Sequence, residues 1–88
     1  MTRLDKLLGL LQEESAEVTQ CASKCIRFGM EAVYKEQSNR FRLEQEIGDL
    51  LAILKLLSES KETNLDSNHI FECVESKLIR VEKYLQVD

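Results

Sequence analysis

Two pairs of acidic residues stand where helical spacing calls for apolar side chains. Glu14 is preceded at minus four and minus three by Leu10 and Leu11 and followed at plus four by Val18, so on a helix it lies on the apolar face. Glu17 comes three residues later, which on a helix makes it a neighbour of Glu14 with Cβ atoms about 5–6 Å apart. Glu13 borders the pair and completes the run EESAE at 13–17. The three-residue spacing returns at Glu46, beside Leu43 and Leu50, and Asp49, beside Ala52 and Ile53. Carboxylates brought together without cations repel one another and resist ionisation. Four converging acids with no matching set of Lys or Arg point to a divalent metal, and an all-oxygen set suits Mg²⁺, with Mn²⁺ as a substitute. The same spacing also serves a solvated acidic face with i,i+4 partners, and both readings stay open on spacing alone.

Three helices account for the elements that must position these acids. The first is expected to start at Thr2, with Asp5 three residues on as its capping partner, and to stop at Gly29. Its stripe reads Leu4, Leu8, Leu11, Val18, Ala22 and Cys25. Residues 30–38 lack periodicity and read as a loop or a short extra turn. The second helix opens near Ser38 or Asn39 and runs through Leu43, Ile47, Leu50, Leu51, Leu54 and Leu57 to about Ser58. Its second half, LLAILKLL, is apolar almost all round and must be covered on more than one side. A polar segment then leads to a third helix capped by Ser67 or Asn68, with Phe71, Val74, Leu78, Val81 and Leu85 as its stripe.

Composition sets limits on what such a chain does. Its 88 residues leave room for a single domain, 1–88, and a chain this short buries only about 60–65% of its unfolded surface. The expected fold is all-α, a small antiparallel bundle of three to four helices completed by homo-oligomerisation. The absence of Pro and Trp and the presence of only three Gly favour helices throughout. A formal charge of -4 argues against nucleic-acid binding. The apolar stretch at 50–57, broken by Lys55, is far short of the ~20 residues that cross a bilayer, so no membrane partner is expected. Three cysteines, an odd number, suit a reducing, cytoplasmic setting.

EESAE at 13–17 followed by EIGD at 46–49 resembles the EExxE…ExxD signature of the MazG-like all-α nucleoside triphosphate pyrophosphohydrolases. The likeness runs through LLGLLQEESAEVTQCASKCIRFG and NRFRLEQEIGDLLAILKLL to a third helix carrying Lys77 and Arg80, roughly residues 4–84, and is to the compact phage and bacterial type. It implies Mg²⁺-dependent cleavage of a (d)NTP between the α and β phosphates, giving (d)NMP and pyrophosphate. By position, Glu14, Glu17, Glu46 and Asp49 would hold the metal, and Glu13 would orient or deprotonate the attacking water or hold a further ion. Lys77 and Arg80, one turn apart on the third helix, would contact phosphates, with Lys24 and Arg27 as weaker candidates. The family often has an Asn close to the position of Arg80, where this chain has Val81 and Glu82. Phage-type relatives include enzymes that favour guanine nucleotides, so (d)GTP is the implied preference, and the family implies a homodimer or homotetramer. The alternative from another class is a non-catalytic helical association module whose acids only solubilise it.

The sulfurs suggest less. Cys21 and Cys25 on the first helix and His69 and Cys73 on the third are each spaced i,i+4 and could form a zinc site, yet they lack a CxxC knuckle and read more simply as small buried hydrophobes. A single His cannot build a di-iron bundle, and no Gly-rich phosphate loop is present.

Overall fold

The computed structural model describes residues 1–86. Along the chain come α1 (Arg3–Phe28), β1 (Val33–Tyr34), β2 (Gln37–Ser38), α2 (Asn39–Glu59) and α3 (Ser67–Leu85). The fold is all-α apart from the two short strands.

α1 begins as its sequence demands. Asp5 N–H donates to Thr2 Oγ1 at 3.0 Å while Thr2 N–H donates to Asp5 Oδ2 at 3.1 Å, a reciprocal capping box. Gly29, at φ 94°, ends it in backbone that a side chain rarely adopts. The following segment is a β-hairpin and not the expected loop: β1 and β2 pair antiparallel, Val33 opposite Ser38 and Tyr34 opposite Gln37. Lys35 and Glu36 make the two-residue turn at φ 50° and 68°. Such turns usually announce themselves by Asn-Gly or Asp-Gly, and Lys-Glu gives no such signal.

α2 is capped by Ser38, whose Oγ accepts from Phe41 N–H at 3.0 Å. Its free first-turn amides are satisfied from the preceding segment, with Asn39 N–H donating to Ala32 O at 2.9 Å and Arg40 N–H to Met30 O at 2.8 Å. At the other end Thr63 Oγ1 donates to Leu57 O and Ser60 O, both at 2.9 Å. α3 is capped one residue earlier than its sequence suggested, by Asp66, whose carboxylate accepts from Asn68 and His69 N–H.

α1 and α2 pack against each other as an antiparallel pair: Asn39 at the start of α2 meets Lys24 and Gly29 at the end of α1, and Glu46 further on meets Glu14 and Glu17. α3 makes only marginal contact with this pair. The molecule measures 41 × 36 × 15 Å, little more than one helix in thickness. Leu7 and Leu57 are the only buried apolar side chains among the described residues, and neither is fully enclosed. Leu7 sits one residue from the stripe expected on α1, where Leu8 is 45% exposed. The α3 stripe of Phe71, Val74, Leu78 and Leu85 is exposed. The expected bundle is therefore a helical pair with a third helix beside it, because within one chain nothing covers α3. Among the described residues, no helix is long and apolar enough to cross a membrane.

Candidate metal centre

Glu14 and Glu17 project from adjacent turns of α1, and antiparallel packing brings Glu46 of α2 to them. One carboxylate oxygen from each lies within 4.8 Å of the other two. Two oxygens bound to one Mg²⁺ at ~2.1 Å can be no more than ~4.2 Å apart, so a modest inward movement of these side chains suffices to share an ion. Glu14 Oε2 and Glu46 Oε2 are buried and receive no hydrogen bond from an N–H or hydroxyl, leaving the acids to one another. A buried carboxylate oxygen with no donor is costly, and a cation is the partner that such a pair of oxygens lacks.

The electrostatics agree. Burial first, then the charges of Glu17 and Asp49, a hydrogen bond with the Glu17 carboxyl and the charge of Glu13 push Glu14 above the usual glutamate value. Glu46 is pushed up to about 7, chiefly by a hydrogen bond with the Glu17 carboxyl, then by burial and by the charges of Glu17, Asp49 and Glu14. Neither carboxyl forms an ion pair with a lysine or arginine among the described residues, and the largest influences on both come from burial and from other acids.

The remaining residues of the sequence reading fall at different distances from this centre. Asp49 is exposed and acts on both Glu14 and Glu46 through its charge, yet its carboxylate lies outside the three-oxygen cluster. Glu13 is exposed beside Glu14, on the edge of the pair. Lys24 lies two turns along α1, at the rim of a cleft. Lys77 and Arg80 are exposed on α3, and Lys77 borders a shallow apolar groove with Val74, Leu78 and Val81. One chain does not bring them to the carboxylates, because α3 does not fold back onto the α1–α2 pair.

The sulfurs do not gather. Cys73 Sγ is 3.9 Å from His69 Nε2 on exposed α3, while Cys21 and Cys25 are half-buried on α1, and all three thiols are free. Burial and the Glu46 carboxylate push the Cys21 thiol up, which keeps it protonated and a poor nucleophile.

Two residues take tertiary roles that their spacing did not indicate. Asn39 is buried, and its Nδ2 donates to Gly29 O at 2.9 Å and Lys24 O at 3.4 Å, locking the end of α1 to the start of α2. Arg42 lies one turn before Glu46, and its Nη2 donates to Tyr34 O at 3.0 Å. The i,i+4 spacing of Arg42 and Glu46 was the available signal, but it reads equally as an ordinary surface pair. No family model, no curated protein and no solved structure matches this chain.

Proposed function

We propose that this chain is a MazG-like, Mg²⁺-dependent nucleoside triphosphate pyrophosphohydrolase that cleaves (d)NTP between the α and β phosphates. The observation that carries the metal is the Glu14–Glu17–Glu46 cluster, with two buried oxygens that receive no hydrogen bond and no ion pair from lysine or arginine. The reaction rests on the resemblance of EESAE and EIGD to the family signature.

Glu14, Glu17 and Glu46 would hold the ion, and Asp49, whose charge already acts on two of them, would complete the set. Bound there, Mg²⁺ would neutralise phosphate charge, acidify a coordinated water and stabilise the departing pyrophosphate. Glu13 borders the cluster from the solvent side, where its carboxylate would orient the attacking water. Lys24 would contact phosphate from α1, and Lys77 and Arg80 would do so from the α3 of a neighbouring copy. A homodimer or homotetramer supplies that copy and covers the exposed apolar faces of α2 and α3.

The test is a panel of NTPs and dNTPs with Mg²⁺ or Mn²⁺, reading monophosphate and pyrophosphate, with one turnover series in heavy-oxygen water. Attack at Pα places the label in the monophosphate. Label in orthophosphate, with no pyrophosphate, would mean a γ-phosphatase. No turnover together with no Mg²⁺ effect on melting would leave a helical association module.

A further inference from the structure

The end of α1, the β-hairpin and the first turns of α2 enclose a cleft of about 440 Å³ that no part of the metal centre occupies. That volume lies in the range of small-molecule sites. Phe28, Val33 and Tyr34 form its apolar side, and Lys24 and Arg42 its polar side. Phe28 and Tyr34 are 64% and 60% exposed, unusual for two large aromatics that stand together at a cleft. Both lie under cations, with the Arg27 guanidinium 5.0 Å from the Phe28 ring centroid, and the Lys35 ammonium and Arg42 guanidinium 5.4 and 5.7 Å from that of Tyr34. The cleft runs on from the carboxylates. Arg42 is about 6 Å along α2 from Glu46, and Lys24 about 10 Å along α1 from Glu17, at 1.5 Å per residue.

The charged groups at the cleft are all donors. Lysine and arginine only donate. Arg42 spends one N–H on Tyr34 O, while its Nε is buried with no partner. Two lining side chains also carry acceptor oxygens, the Tyr34 hydroxyl and Asn39, whose amide nitrogen is committed to Gly29 O and Lys24 O. No carboxylate lines the cleft.

We propose that this cleft is the base site of the nucleotide, and that it selects 6-oxopurines and 4-oxopyrimidines over their amino counterparts. The inference rests on the nucleotide pyrophosphohydrolase reading above. The base stacks on the Phe28 and Tyr34 rings, which accept any base because every base has a π-face. Discrimination comes from Arg42 and Lys24. An oxo group, or the O6 and N7 pair of guanine, accepts from these donors, whereas the amino group of adenine or cytosine would set donor against donor. The expected preference is roughly ten- to hundredfold in kcat/KM.

The experiment compares GTP, UTP, ATP and CTP on the wild type and on Arg42→Gln, Tyr34→Ala and Phe28→Ala, with circular dichroism to check folding and the Mg²⁺-induced melting shift measured alongside. The wild type should favour GTP and UTP over ATP and CTP. Arg42→Gln should narrow that ratio, and Tyr34→Ala and Phe28→Ala should raise KM for all four, while the Mg²⁺ shift survives in every variant. An equal or inverted wild-type ratio, or a ratio unchanged in a folded Arg42→Gln, overturns the proposal. If no triphosphate is hydrolysed, the hydrolase reading fails by itself. The cleft is then judged by calorimetric titration with GMP, UMP, AMP and CMP, where absent binding, or binding equal in the wild type and Arg42→Gln, overturns the base site.

Discussion

At the scale of single residues, the three clustered glutamates are a liability unless something joins them. In the metal-free protein Glu46 holds its proton up to about 7, against 4.5 for a free glutamate. Between these values the fold keeps a proton that the unfolded chain has released, so its stability is greatest at the acid end and falls as pH rises through about 7. The raised Glu14 carboxyl acts in the same direction. The metal-free melting temperature is therefore expected to fall from about pH 5 to about pH 8. Added Mg²⁺ should raise it more at the upper end, where no proton has to be displaced. A flat or rising metal-free profile would remove the electrostatic argument for the centre. Glu46→Gln should flatten that slope and abolish the Mg²⁺ shift. Its turnover should drop on the order of a thousandfold, the scale of several kcal/mol of lost charge stabilisation. Near-normal activity in that variant would overturn the metal assignment.

At the scale of elements, α1 carries Gly9 in its interior, and a Cβ built there meets nothing within 4 Å. Gly9→Ala should stabilise the chain by about 1 kcal/mol through helix propensity alone, read as a shifted urea midpoint with an unchanged slope. The hairpin turn is the opposite case. Lys35 and Glu36 adopt positive φ without being glycine or asparagine, which side chains resist. Replacing them together by Asn and Gly should stabilise by about 1 kcal/mol in the same titration, and a loss would mean that the side chains are held by something the hairpin alone does not show. Arg40 and Glu31 form an ion pair beside this hairpin, and both are exposed, so the pair adds little.

At the scale of the whole molecule, the excess of apolar surface decides. Leu51 is 60%, Leu78 60% and Phe71 63% exposed in the single chain. α3 is a 19-residue amphipathic helix with little to lean on, and helices in proteins owe most of their stability to the packing of such a face. Light scattering should give a mass well above 10.2 kDa, and dilution should lower helicity as α3 loses its cover. If the chain self-associates as proposed, Leu54→Glu or Leu78→Glu should dissociate it. A folded, active species of 10.2 kDa would refute it.

Local chemistry was legible in the chain itself. The Thr2–Asp5 box, the Gly29 stop, the Ser38 cap and the i,i+3 spacing of Glu14 and Glu17 all depend on backbone only a few residues away, and each stands as its sequence implies. The pairing of Glu46 with them was foreseeable in kind, because both sets interrupt apolar stripes that must face a neighbour. What tertiary structure alone decided is distance between elements: that Asp49 stays outside the three-oxygen cluster, that Lys77 and Arg80 stand apart on α3, and that Arg42 and Tyr34 meet across the hairpin. The physical reason is that helical periodicity fixes which residues share a face, whereas the depth and angle at which two faces meet depend on the summed packing of every side chain between them.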